Sequence, residues 1–141
     1  MKTISSLSLE KHDGPYEKWP LSSRLYFNAV DTNKRIPGYV IEAQYQCEDG
    51  YLVITSYDCL HEESNDFSLL NDSFDIVASN RLLVMYGSFL LRSHWPISEH
   101  ALRLHYYDET FYDLLIEDAP LVYRVLSPPR GVLSKLWRLL G

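Results

Sequence analysis

Only two cysteines occur in the 141 residues, Cys47 and Cys59. The hairpin register argued below would set them roughly 20 Å apart, seven rungs at about 3.3 Å each, beyond disulfide reach. Reduced thiols in a cytoplasmic protein are therefore expected. Long apolar runs are missing, which excludes a membrane-spanning helix. The opening stretch MKTISSLSLEKHDG lacks the apolar core of a signal peptide. The six glycines never form GxGxxG or GxxxxGK, so the phosphate-cradling loops are absent. There is no GxSxG elbow, no CxxC and no HExxH. Acids are plentiful, yet no spacing singles out a carboxylate pair for glycoside chemistry.

An excess of basic charge is missing as well. Thirteen Lys and Arg face nineteen Asp and Glu, a net charge of −6. The last twelve residues, Arg130 to Gly141, hold three bases and no acid, so ten bases and nineteen acids remain in the rest, a net −9. Such a body repels nucleic acid and suits a basic partner.

What is present is aromatic and alternating. Eleven tyrosines, three tryptophans and five phenylalanines stand in a chain that is 46% hydrophobic and 23% charged. These are globular values, and the length suffices for one core. Aromatics suit strands and interfaces. From Gly38 to Leu70 the chain reads GYVIEAQYQCEDGYLVITSYDCLHEESNDFSLL. Tyr39, Ile41, Ala43, Tyr45 and Cys47 alternate with Val40, Glu42, Gln44 and Gln46, the period of a half-buried strand. With Asp49-Gly50 as a two-residue turn, Cys47 would face Leu52 and Tyr45 would face Ile54, with Gln44 opposite Thr55 on the polar side. Asp58 then falls on the core face beside Ile41, so the strand has ended by there, a bulge turns it outward, or it is a partnered, purposeful carboxylate.

The same reading predicts a short edge strand over Thr3 to Leu9 and a loop at HDGPYEKWP, His12 to Pro20. A strand over Leu21 to Val30 follows, closed by the Asp31-Thr32-Asn33-Lys34 turn. A hairpin from Phe67 to Val77 turns at Asn71-Asp72, and an apolar run from Ser88 ends at Trp95-Pro96. Ala101 to Tyr107 pairs with Phe111 to Glu117 through a three-residue loop, setting Leu104 against Leu114 and His105 against Asp113. Leu121 to Leu126 is a last strand, stopped by Ser127-Pro128-Pro129. In the tail, Val132, Leu133, Leu136, Trp137 and Leu140 share a helical face, with Lys135 and Arg138 elsewhere. The expected fold is mainly β: an antiparallel meander over residues 1–126, rolled into a barrel or stacked as a two-sheet sandwich. Residues 127–141 form a Pro-Pro linker and a short basic amphipathic helix.

The most reactive-looking run is Asp58-Cys59-Leu60-His61-Glu62-Glu63. A thiol with a histidine base or a metal site would draw on these residue types. The spacing is poor for zinc, and no oxyanion arrangement accompanies the thiol. An acidic connection from Asp58 to Asp66, solvated or facing a partner, fits better. His94, His100 and His105 would bind a metal only if they converged, and alternation does not fix their faces. No catalytic residue, metal or cofactor is expected. Tyr57, Asp58, Glu62, Glu63, Asp66 and Trp95 are the candidate partner-binding residues.

The residues YLVITSYDCLHEESNDFSLL, Tyr51 to Leu70, resemble small bacterial immunity-type and uncharacterised β proteins, in which an apolar strand runs into an acidic "EE" loop. The resemblance implies a toxin-neutralising or similar binding protein. The net −9 body, the aromatics, the acidic connection and the lack of a coherent catalytic set point to the same expectation, a cytoplasmic, non-enzymatic protein acting on a cognate toxin or effector through an acidic, aromatic surface. It carries over no catalytic residue. The alternatives are a β-barrel holding a small apolar ligand and a hydrolase using the Cys59/His61 region.

Overall fold

The structure, a computed structural model, describes residues 1–57, 63–84, 91–106, 110–116 and 122–126. The fold is mainly β and antiparallel throughout, and its sheets are open. Among the described residues no closed barrel forms, because each sheet ends in edge strands instead of pairing its first strand with its last. The residues of the expected tail helix, 127–141, lie outside the described set. Among the described residues no helix is long and apolar enough to cross a membrane. Where the sequence reads as one β domain over 1–126, backbone contacts divide the chain into two compact units, Met1–Gly87 and Ser88–Gly141.

The first unit holds two sheets. One has five strands in the order β1-β5-β6-β7-β8: β1 is Lys2–Thr3, β5 Val40–Cys47, β6 Gly50–Ser56, β7 Glu63–Asn71 and β8 Ile76–Val84. The other has three, β2-β3-β4, at Leu7–Leu9, Ser22–Phe27 and Val30–Pro37. The expected edge strand at Thr3 to Leu9 is thus split, and its halves join different sheets.

The sheets pack through Leu7, Leu25, Ile36, Val53 and Leu70, all at most 3% exposed. Each such side chain gains about 1.5–3 kcal/mol on leaving water. On the side of β5 expected to face solvent, Gln44 is half-buried while Val40, Glu42 and Gln46 stay exposed. Gln44 shows how its polarity is met: its amide accepts from Leu7 N at 2.8 Å and donates to Leu7 O at 3.0 Å. The opposite face of the five-stranded sheet buries Ala43, Tyr45, Leu52, Ile54 and Phe67. β6 is thus buried on both sides, from Leu52 through Thr55.

Several turns lie elsewhere than the sequence indicates. Cys47 faces Gly50 and Tyr45 faces Leu52, so Glu48-Asp49 closes the hairpin instead of Asp49-Gly50. Gly50 is required as the first residue of β6: a Cβ there would sit 1.8 Å from Leu70 O on the next strand. The bulge falls between Ile41 and Ala43, and β6 ends at Ser56, before Asp58. Leu21 to Val30 is not one strand. Asn28 and Ala29, at φ 48° and 65°, form a hairpin turn of the primed kind, and Asp31 to Lys34 lies inside β4. There Asp31 accepts from Asn33 N and from the Arg24 guanidinium at a register shift. The β7–β8 turn runs from Asn71 to Asp75, with Asn71 Oδ1 accepting from Ser73 N and Asp75 N. β8 continues well past Val77. Cys47 stands at the β5–β6 turn, and Cys59 lies outside the described residues.

The second unit is a four-stranded sheet, β12-β11-β10-β9: β9 Leu91–Ser98, β10 Ala101–Tyr106, β11 Phe111–Leu115 and β12 Val122–Leu126. β9 does not stop at Pro96, because an edge strand tolerates a missing N–H. The β10–β11 register is two residues from the expected one. Leu104 faces Tyr112, Leu102 faces Leu114, and Arg103 faces Asp113. Arg103 Nε donates to Asp113 Oδ1 at 2.9 Å, with side chains 15% and 2% exposed. His105 stacks on Phe111 with centroids 4.3 Å apart. Arg103 thus takes the place opposite Asp113 that was expected for His105.

Gly50→Ala should unfold the chain or cost more than about 3 kcal/mol, since backbone must move to admit the methyl group. Urea denaturation checks this. A midpoint equal to the parent's would show that β6 and β7 are not so close.

Candidate functional site

The densest surface chemistry among the described residues lies at one end of the first unit. Gly14, Pro15 and Pro20 keep residues 12–20 out of any strand, and a single 3-10 turn forms at Tyr16–Lys18. That turn presents Tyr16 and Trp19 on one side. Trp19 Nε1 donates to Asp13 O at 3.0 Å and lies 3.2 Å from Gly14 O, which fixes the indole. Tyr16 donates its hydroxyl proton to Tyr57 O at 2.5 Å, tying the loop to the end of β6.

Tyr39 stands at the centre. It follows the Pro37-Gly38 corner, and its N–H donates to Ser56 O at 2.7 Å. Its ring meets His12 at 5.1 Å, Tyr16 at 5.5 Å, Trp19 at 5.3 Å and Tyr57 at 5.1 Å, always edge-on. His12 stacks on Trp19, and its Nε2 lies 2.8 Å from Ser23 Oγ. Such edge-to-face contacts add about 0.5–1.5 kcal/mol each beyond burial. Tyr16 is 41% exposed; Trp19, Tyr39 and Tyr57 are half-buried.

The ridge ends in charge. The Arg81 guanidinium lies 5.7 Å from the Tyr57 ring centroid, a cation–π approach, and Nη2 lies 3.3 Å from the Tyr57 hydroxyl. Arg81 also grips Asp66 bidentately, Nε to Oδ1 at 2.5 Å and Nη2 to Oδ2 at 3.1 Å. The Asp66 side chain is 6% exposed, that of Arg81 55%. Burial, with the Asp66 carboxylate beside it, pushes the Tyr57 phenol up to about 12. A cavity of about 210 Å³ opens beside this pair, lined by Pro37, Asp66, Ser68, Ser79 and Arg81 among others. The phenol is held protonated and the carboxylate is engaged by arginine.

Of the candidates read from sequence, Tyr57 and Asp66 come together here. Asp66 is not on a solvated connection: β7 begins at Glu63, and Asp66 is a buried strand residue facing Arg81. Asp58, Glu62, Cys59 and His61 lie outside the described residues. Trp95 belongs to β9 of the second unit, half-buried, facing Arg103. In that unit His94 faces Leu104 while the adjacent His105 faces Ser93, so the two imidazoles project to opposite faces. Sequence reasoning missed His12, Tyr16, Trp19, Tyr39 and Arg81 as site residues. A signal existed: three aromatic rings sit in a loop broken by glycine and prolines. Arg81 is also the one base between Arg35 and Arg92 in a stretch rich in acids. No protein-family model, no curated protein and no solved structure matches the chain.

Arg81→Ala should cost about 2–3 kcal/mol, because it strips the counter-charge from a buried carboxylate. Asp72→Ala, on the exposed turn, should cost under about 0.5 kcal/mol. Equal losses in chemical denaturation would contradict the pairing. In a 295 nm titration, the parent-minus-Tyr57→Phe difference should centre near 12 instead of the ordinary phenol value near 10. Between those limits the unfolded chain sheds a proton that the folded one keeps. The Tyr57 contribution to stability is thus intact below about pH 10 and lost as pH rises towards 12.

Proposed function

We propose that the protein is a non-enzymatic, cytoplasmic binding module that recognises a basic protein partner through the ridge from Trp19 and Tyr16 across Tyr39 and Tyr57 to Arg81. The observation carrying this reading is the set of ring contacts converging on Tyr39 at the unit's surface. Tyrosine, tryptophan and arginine are the residues that dominate interface energetics. Rings already locked against one another lose little entropy on binding. The charge supports a basic partner: residues 1–87 hold seven bases and thirteen acids, a net −6, while residues 88–141 hold six of each. Asp58, Glu62 and Glu63 follow Tyr57 closely in sequence, and their charge would steer a basic partner. The partner class this reading adopts is a toxin or effector that the protein neutralises, as the Tyr51 to Leu70 resemblance implies.

A small-ligand reading has one observation in its favour, the 210 Å³ cavity beside Asp66. It is smaller than the roughly 300–1,000 Å³ usual for drug-sized ligands, so protein recognition is the better account.

The test begins with affinity purification of the native host's partner on immobilised protein, then measures its affinity for variants. Tyr16→Ala with Trp19→Ala should weaken binding at least about tenfold, roughly 1.4 kcal/mol, with both sheets intact by circular dichroism. Glu62→Gln with Glu63→Gln should slow association and reduce its salt dependence. A partner held equally well by parent and ridge variant would overturn the assignment.

A further inference from the structure

Cross-strand partners share one face of a sheet. Ser68 of β7 faces Val53 on one side and Ser79 on the other, and Asp66 faces Arg81. Val53 belongs to the core between the two sheets. Asp66, Ser68, Ser79 and Arg81 therefore lie on the side turned to the three-stranded sheet. The cover ends between the two strands: Asp66 and Ser68 are buried, while Ser79 and Arg81 are exposed. There the cavity of about 210 Å³ opens, with Pro37, the last residue of β4, also in its wall. Ser68 is one of its lining residues and is fully buried. Its hydroxyl has no hydrogen-bond partner among the described residues. Most buried polar side chains in folded proteins are hydrogen-bonded. One left unbonded costs free energy that a bound group can recover.

We infer that this cavity seats one neutral carboxamide side chain, a glutamine or an asparagine, of the protein partner. Charge argues for a neutral occupant. The Asp66 carboxylate and the Arg81 guanidinium hold each other. An ionised group entering here would lose hydration and meet a like charge beside the opposite one. Polarity argues for a hydrogen-bonding occupant. A serine hydroxyl both donates and accepts, and a carboxamide answers either role; an apolar side chain would leave Ser68 unbonded. Size argues for a single side chain, because about 210 Å³ lies below the range of drug-sized ligands. A serine or threonine hydroxyl, on a one-carbon stem, is too short to reach a buried floor. Position names the source. Arg81 and Asp66 close the aromatic ridge beside Tyr57, so a partner lying along Tyr39 and Tyr57 comes next to the cavity. The inference rests on the binding-module reading and gives that surface a specificity pocket.

The test uses the full chain, ¹⁵N-labelled, with N-acetyl-glutamine N-methylamide as probe. Amide signals of residues 66–68 and 79–81 should shift saturably. The matching glutamate, lysine and norleucine derivatives should bind at least about fivefold more weakly. Ser68→Ala should leave the urea midpoint unchanged or raise it, since the hydroxyl it removes bonds to nothing in the fold. The same change should weaken the glutamine probe about fivefold or more. A lowered midpoint would mean that the hydroxyl is already engaged, and would overturn the proposal. So would shifts centred elsewhere, norleucine bound as tightly as glutamine, or probe binding that Ser68→Ala leaves unchanged. Free glutamine, with both termini charged, should bind more weakly than the capped residue. Tighter binding of the free amino acid would make the cavity a small-molecule site and overturn its assignment to a partner side chain. The Tyr16→Ala with Trp19→Ala variant should bind the probe like the parent while losing the partner. Failure of the cavity therefore leaves the ridge assignment standing. A ridge that fails while the probe still binds removes the partner and keeps the carboxamide site.

Discussion

The first unit depends on the burial of β6 from both sides. Val53 and Thr55 face one way, Leu52 and Ile54 the other, and none of the four retains exposure. A strand without a wet face needs cover above and below. The chain provides it on one side by sending its first residues into both sheets: β1 pairs with β5 while β2 pairs with β3. The crossover brings Leu7 over Val53 and places its backbone where the Gln44 amide completes two hydrogen bonds. A polar residue on a buried face is tolerated because both its donor and its acceptor are used. The closeness of Gly50 to Leu70 O belongs to the same requirement.

The ridge is a consequence of that stacking. β4 must end and turn to deliver β5, and the corner at Pro37-Gly38 lifts Tyr39 to the place where the 12–20 loop comes down. Ser23 Oγ donates to Gly38 O, and Thr55 Oγ1 to Pro37 O, so the corner is pinned to both sheets. Tyr57 leaves β6 at the same end, and Arg81 comes up from β8, two strands away from β6. Five aromatic side chains and one ion pair from five separate stretches converge because both sheets terminate there. There the phenol is kept neutral and the carboxylate is occupied.

Alternation along a strand is a local property, and its consequences were legible. Ala43, Tyr45, Leu52 and Ile54 share a buried face as their spacing indicates, and Leu102, Leu104, Leu114 and Tyr112 share another. Moving a two-residue turn from Asp49-Gly50 to Glu48-Asp49 changes the partners of Ala43 to Cys47 by two residues and leaves their faces unchanged. Beyond the bulge at Ala43, Ile41 faces Thr55 and joins the other side. Turn identity was less legible where composition misled. Asn28-Ala29 lacks the glycine that usually marks a tight turn, and Asp31-Thr32-Asn33-Lys34 has turn composition but is an irregular piece of strand held by Arg24.

The sequence by itself determined that the protein is mainly β and antiparallel, which side chains share a face, and that its acids outnumber its bases. Each follows from neighbours in the chain, through the two-residue period and the count of charges. Tertiary structure alone decided that the Gln44 amide bonds to the Leu7 backbone and that Asp66 is a buried partner of Arg81. It also decided that Trp19, Tyr16, Tyr39 and Tyr57 form one surface. Those outcomes depend on which sheet lies over which and where two strands end together. They are contacts between residues distant in sequence, and no local pattern encodes a distance between segments that only packing brings side by side.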